Sequence, residues 1–322
     1  MVTGVAGSLD AVARALGPRA VRHAPLGART TYRVGGTAAV LVTVEGEDDL
    51  VAVHHALAGA GGPLSVLVVG NGSNMLVADA GFDGLVIALG PGLAGIEITG
   101  TTVRAGAGAQ LPLVARRSAA AGLVGLEWAV GVPGTVGGAL KMNAGGHGSD
   151  TAAVLVRQRL FDLGAGVAVE DGPQRLALGY RHSSLGPAEV AVWAEFALAS
   201  GSRAQAEATV ADIVRWRRAH QPGGSNAGSV FTNPPGDAAG RLVEQAGMKG
   251  VRLGTARVSE KHANFIQADE DGSADDVRRL IDRVRAVVLE KTGVGLVPEV
   301  CLVGFDDGGW GKPSTSCGGS GS

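Results

Sequence analysis

"VLVVGNGSNMLVADAGFDG", residues 66–84, is the stretch whose reading decides the fold. A strand runs into Gly70-Asn71-Gly72-Ser73-Asn74, which leaves a turn of bare backbone, two amide side chains and a hydroxyl. Such a turn can hold a phosphate through N–H groups where no basic residue is supplied. Two commoner nucleotide-binding turns fail on it. Met75 stands where a Rossmann fingerprint needs its third glycine, and no lysine is placed for a P-loop. Taken alone, the segment reads equally well as a strand-ending turn with asparagine in the left-handed conformation.

A second glycine-rich block, "GLEWAVGVPGTVGGALKMNAGGHG" at 125–148, sets Gly131, Gly134, Gly137 and Gly138 around Pro133, a rigid turn entering a short helix. Its backbone N–H groups can converge on a pyrophosphate, and two such loops in neighbouring units suggest a dinucleotide held between them. A third, "TTYRVGGTAAVLV" at 30–42, offers Thr31, Tyr32, Arg33 and Gly35-Gly36 ahead of a strand, and by itself reads as a turn.

Around these blocks the apolar pattern predicts a first unit to about residue 90, with strands in "AAVLVTV", "LSVLVVG" and "GLVIALG" and a helix in "DDLVAVHHALAGAGG". His54 and His55 on that helix read as ordinary surface residues. A strand-rich second unit, 91–200, contains "GIEITGTTVRAGAG", an Ala-rich helix from Leu111, and the strands "AAVLVRQRLFDL", "VAVEDG" and "VAVWAEFAL". The third, 201–305, opens on a helix carrying Ala206, Val210, Ile213, Val214 and Arg217 at helical spacing. It continues with a helix capped by Ser273 and stopped at Gly293, and closes on the strand "LVPEVCLVG". The Gly/Ser-rich tail, 306–322, reads as disordered.

Composition narrows the function. A formal charge of -2 with 18% charged residues does not favour nucleic acid or an anionic membrane as partner, which leaves small ligands. Cys301 and Cys317 are too few for a disulfide framework. The N-terminal stretch lacks a secretory pattern, no run reaches about 18 apolar residues, and the expectation is a soluble, cytoplasmic protein. No His/Cys/carboxylate cluster at ligand spacing suggests a metal.

In order and spacing, "YRVGG", "GNGSNMLVADAGFDG", "GVPGTVGGALKMNAGGHG", "GYRHSSL", "AGSVFTNP", "EQAGMKG", "GTARVSEKHANFI" and "LVPEV" resemble the UDP-N-acetylenolpyruvoylglucosamine reductases, flavoenzymes of peptidoglycan precursor synthesis. The resemblance covers nearly the whole chain. It implies an α+β fold: a two-subdomain FAD-binding fold of the vanillyl-alcohol-oxidase type, then a C-terminal α+β substrate-binding domain. It implies non-covalent FAD, NADPH as hydride donor, and reduction of UDP-N-acetylglucosamine enolpyruvate, with a monomer favoured. The short stretch between His182 and Ser229 has no room for the insertion that carries a substrate-covering tyrosine in the longer subclass, which implies the shorter one.

Residue by residue, the resemblance assigns FAD contacts to Tyr32, Arg33, Gly35, Gly70, Asn71, Gly72, Ser73, Asn74, Gly131, Pro133, Gly134, Gly137, Gly138, Asn143, Gly145 and His147. It assigns substrate contacts to Asn233, Lys249 and His262, and catalysis to Arg181, Ser229 and Glu299. Thr232 stands where lysine is often found. The chemistry asks for those catalytic types: hydride addition to the terminal vinyl carbon leaves an enolate, which needs a cation, an acid and a proton donor. Arg181 suits the carboxylate, Glu299 in a buried strand would have a raised pKa, and Ser229 can protonate so strong a base across a short gap. Ser229 also sits ahead of a Pro-Pro-Gly turn, so it reads locally as a turn residue. The alternative is an oxidase or dehydrogenase of the same fold acting on another metabolite, which has no reason to keep these three together.

Overall fold

The computed structural model describes residues 2–305, and the tail expected to be disordered lies outside the described residues. In the first unit a helix, α1 (Val2–Leu16), leads into β1 (Ala20–Pro25), β2 (Thr37–Val44), α2 (Glu47–Ala58), β3 (Val66–Val69), β4 (Met75–Val77) and β5 (Phe82–Leu89). The sheet order is β1-β2-β5-β3. β1 joins antiparallel and the other pairs are parallel, which is why β2 and β5 read as nearly continuous apolar runs rather than alternating ones.

The second unit is an antiparallel sheet. Its strands are β6 (Ile96–Thr99), β7 (Thr102–Gly106), β8 (Leu155–Asp162), β9 (Val167–Asp171) and β10 (Glu189–Ala197), in the order β9-β8-β10-β7-β6. Between β7 and β8 lie α3 (Leu111–Ala120) and α4 (Val136–Met142). The two units share a core: Leu50 and Val53 of α2 pack in one cluster with Phe161, Val190 and Val192 of the second sheet. His54 is not a plain surface residue, since its Nδ1 lies 2.8 Å from the Leu163 carbonyl across that seam.

The helix α5 (Arg203–His220) begins at Ser202, whose side chain accepts from the Gln205 N–H. Its apolar stripe, Ala206, Val210 and Ile213, packs into the core of the second unit beside Leu111 and Val114 of α3, so the helix does not open a third unit as its spacing suggested. Pattern reading finds the stripe but not the partner. The remaining chain forms α6 (Ala239–Gln245), the short strands β11 (Arg252–Leu253), β12 (Ala256–Val258) and β13 (Ile266–Ala268), α7 (Ala274–Thr292) and β14 (Cys301–Val303). Ser273 caps α7 and Gly293 ends it in the left-handed conformation.

The opening stretch joins the units. β4 pairs in parallel with β14, and Asp79 accepts hydrogen bonds from Ser273 Oγ (2.6 Å), the Ala274 N–H (2.9 Å) and the Asp275 N–H (3.2 Å) at the start of α7. A carboxylate there answers both the unpaired N–H groups and the positive end of the helix. The turn at 70–74 therefore faces one way and Asp79 fastens the third unit on the other.

Candidate active site

Where the three units meet, the fold leaves a cavity of about 520 Å³. The first two glycine blocks form one wall. Gly70, Asn71, Gly72, Ser73 and Asn74 line it beside Gly131, Pro133, Gly134, Gly137, Gly138 and Gly145. The loops touch: Ser73 Oγ donates to the Pro133 carbonyl at 3.0 Å, and Thr135 caps α4 by accepting from the Gly138 N–H. A Cβ on Gly70 would lie 2.4 Å from Thr135 Oγ1, so the approach of the two loops depends on a bare α-carbon. The left-handed residue of the first turn is Gly72, at φ 56, not an asparagine.

Of the third block, Thr31 faces the cavity. Its Oγ1 is buried and has no hydrogen-bond partner among the described residues, a donor left for a ligand. Tyr32, Arg33 and Gly35 do not line the cavity. Tyr32 is fully buried in the core of the third unit, where burial pushes its phenol up, and Arg33 is exposed. Gly35 packs against β4, where a Cβ would meet the Val77 carbonyl at 2.1 Å. Asn143 also stays out of the cavity and works structurally. Buried at the C-terminus of α4 with φ 40, it donates to Asp150 Oδ2 and the Gly179 carbonyl and accepts from the Ala152 N–H. His147 is exposed beside Trp216, outside the lining.

Arg181, Ser229 and Glu299 come from three distant segments to the same cavity. Arg181 is the second corner of a tight turn in which Gly179 and His182 exchange backbone hydrogen bonds of 3.0 and 3.1 Å. Its φ of 55 is costly for a side chain with a Cβ and is held by those bonds and by Asn143 on Gly179. Its Nε lies 2.7 Å from Glu299 Oε1, and its Nη2 donates to the Gly145 carbonyl at 3.2 Å. Burial raises the Glu299 pKa above the ordinary carboxylate value, and the Arg181 charge opposes that shift. Glu299 does not lie in a strand. It precedes β14 in an irregular segment held by its own N–H on the Val230 carbonyl (2.7 Å) and by Asn74 Nδ2 on its carbonyl (3.0 Å). Ser229, half-buried, thus has Glu299 as a backbone neighbour.

The expected substrate contacts gather elsewhere. Asn233, Lys249 and His262 surround α6 and do not line the cavity. Asn233 Oδ1 accepts from the Ala239 N–H, Lys249 pairs with Glu244 at 2.7 Å, and His262 packs edge-on to Phe265 with its pKa lowered by burial. Two cavity cations escaped the sequence reading. Arg217 lies on the α5 stripe, and a charge on an otherwise apolar stripe was the available signal; its Nε bonds Gln221 Oε1 at 2.8 Å, and it has no carboxylate partner among the described residues. Lys141 is held on the Leu185 carbonyl, and burial lowers its pKa against the pull of Glu189. Among the described residues no group of three metal-ligating side chains occurs and no helix is long and apolar enough to cross a membrane.

A mixed α+β chain whose paired glycine loops line a cavity shared with an Arg–Glu pair and a serine has the construction of a dinucleotide-binding enzyme. Residues 38–171 match the model of an FAD binding domain, and residues 220–303 match that of the UDP-N-acetylenolpyruvoylglucosamine reductase C-terminal domain. The chain is 44% identical to UDP-N-acetylenolpyruvoylglucosamine reductase 2 of Symbiobacterium thermophilum over 90% of its length and 94% of that protein. It is 40% identical to the Rubrobacter xylanophilus reductase over 92% of this chain and 99% of the other. The crystal structure of the reductase (MurB) from Thermus caldophilus superposes with a TM-score of 0.76 at 35% identity, covering 88% of this chain and 98% of that one. The chain belongs to the UDP-N-acetylenolpyruvoylglucosamine reductase family.

The cavity fits FAD on its own features: the unpartnered Thr31 hydroxyl, and loops that carry no side chain where the backbone must approach a ligand. At Gly134 the fit is testable. Its φ is 127 and an added Cβ would sit 2.8 Å from Ser73 Oγ, so Gly134→Ala must strain the loop or push Ser73 off Pro133. A cost of roughly 1–2 kcal/mol weakens FAD binding about tenfold, read as the flavin dissociation constant. Full flavin affinity in Gly134→Ala would remove this loop from the cofactor site.

Proposed function

We propose that this chain reduces UDP-N-acetylglucosamine enolpyruvate to UDP-N-acetylmuramate, acting as a cytoplasmic monomer, and that Arg181, Ser229 and Glu299 carry the chemistry. Bound FAD supplies hydride, taken from NADPH, to the terminal vinyl carbon of the enolpyruvyl ether. The observation that carries the reading is the meeting of these three side chains in one cavity, with Arg181 and Glu299 paired at 2.7 Å.

Each group has a task suited to its position. The Arg181 guanidinium, with one nitrogen on Glu299 and one on the Gly145 carbonyl, keeps N–H groups for the substrate carboxylate, where negative charge gathers as the enolate forms. Glu299, whose pKa burial raises, is suited to holding a proton beside that charge. Ser229 gives its hydroxyl proton to the carbon next to the reduced one. Arg217 is left for a ligand phosphate. Among the described residues the large exposed apolar side chains are spread over β1, α3, β8, β9, α5, α7 and the loops at Tyr180 and Val297, which suits a monomer.

The test follows NADPH oxidation by the flavin-loaded protein. Oxidation that requires UDP-N-acetylglucosamine enolpyruvate and forms UDP-N-acetylmuramate is expected. Oxidation indifferent to that ether would favour an oxidase of the same fold.

A further inference from the structure

Beside the cavity, outside its lining, stands an aromatic shelf with no task so far. Trp216 is 45% exposed, while Trp128 is buried and Trp193 is half-buried beneath Arg104. His220, one turn on, stacks against it with ring centroids 4.7 Å apart and an interplanar angle of 18°, its Nδ1 fixed 2.8 Å from the Trp216 carbonyl. His147 meets it edge-on at 5.1 Å. The shelf is tied to the cavity wall on both sides: a Cβ on Gly131, a lining residue, would touch the His147 ring, and Arg217 and Gln221 line the cavity from the same end of α5.

A cation adjoins it on the cavity side: Arg217, the next residue of α5, lines the cavity, bonds Gln221 Oε1 at 2.8 Å and has no carboxylate partner among the described residues. An exposed, preorganised indole next to a cavity-lining arginine without a carboxylate partner matches one class of ligand, a planar base carrying phosphate.

We propose that the Trp216–His220 shelf seats the base of a nucleotide reactant, with Arg217 on the cavity wall supplying charge for its phosphate. This rests on the functional reading above, in which both diffusible reactants, NADPH and the UDP-sugar, carry a base and phosphates. The shelf places the nucleotide end at the rim and leaves the cavity to the reacting end.

The test uses the FAD-loaded protein with 2′,5′-ADP and UDP as separate calorimetric probes, comparing wild type with Trp216→Ala and Trp216→Phe, flavin content serving as the folding control. Trp216→Ala is expected to weaken at least one probe about tenfold, and Trp216→Phe to keep most of the affinity. Loss confined to 2′,5′-ADP assigns the shelf to the reductant, loss confined to UDP assigns it to the sugar nucleotide, and loss of both means the two use it in turn. Unchanged affinity for both in Trp216→Ala, or wild-type protein that binds neither, overturns the proposal. The binding constants are read whether or not the enolpyruvyl ether turns over, so failure of the functional reading is told apart from failure of the shelf.

Discussion

Ser229→Ala is expected to reduce its flavin with NADPH within about threefold of wild type and to slow the second half-reaction, with the enolpyruvyl ether, by about 10²–10⁴-fold. The split follows from how the serine is held. Gly228, at φ 77, turns the chain into the cavity, and everything after Ser229 is pinned. The Val230 N–H donates to the Asn264 carbonyl at 2.8 Å, and the Val230 carbonyl accepts from Glu299 at 2.7 Å. Asn264, buried, takes both the N–H and the carbonyl of Phe231 at 3.0 and 2.8 Å. None of these bonds involves the Ser229 side chain, so removing its oxygen leaves the frame standing and takes away only a proton donor. Stopped-flow absorbance of the flavin resolves the two halves. Equal slowing of both, or unchanged turnover, would return Ser229 to a structural role.

That frame was not legible in the sequence. The Pro-Pro-Gly turn is present, with the Asp237 N–H donating to the Pro234 carbonyl at 3.2 Å, but it lies beyond the anchored residues and does not hold the serine. The holder is Asn264, an amide 35 positions away with no local pattern to mark it. Legible features were those that depend on neighbours in the chain: the strand runs, the Ser273 cap, the Gly293 stop and the glycine loops. Features that depend on what an element packs against were not. The α5 stripe looked like the start of a new unit because spacing shows that a face is buried but not against which core. Tyr32 stood among residues read as a ligand turn yet fills the core of the third unit, while its neighbour Thr31, less conspicuous, faces the cavity. Asn74 does two things that one sequence position cannot announce: it belongs to the loop that lines the cavity, and it holds the Glu299 carbonyl.

Glu299 gives the second large effect, and its pH dependence separates two roles. Burial raises its pKa and Arg181 pulls the other way, with burial winning. The carboxyl in the folded protein therefore keeps its proton above the pH at which an exposed glutamate loses it. If Glu299 serves as a proton-holding donor to the enolate, the wild-type rate of the second half-reaction falls as pH rises through that raised pKa. Glu299→Gln, whose amide donates without titrating, should remove this fall and stay within about tenfold of wild type at low pH. Glu299→Ala, which leaves no donor and strips Arg181 of its partner at 2.7 Å, should lose about 10²–10³-fold at every pH. The opposite outcome has its own signature. Were Glu299 needed ionised, to orient Arg181, the wild-type rate would climb across the same window and Glu299→Gln would be as damaged as Glu299→Ala. The same raised pKa acts on stability with a sign that can be checked. Below the pKa of the unfolded glutamate both states are protonated and nothing is lost, while above it the unfolded glutamate ionises and the folded one keeps its proton, so stability declines until the raised folded value is passed. The Glu299 contribution is therefore lost as pH rises through the folded value. In Glu299→Gln the thermal midpoint should lose the part of its decline that starts where an exposed glutamate ionises and ends at the raised folded value. A decline unchanged from wild type would mean that the Arg181 pair, not burial, governs the carboxyl.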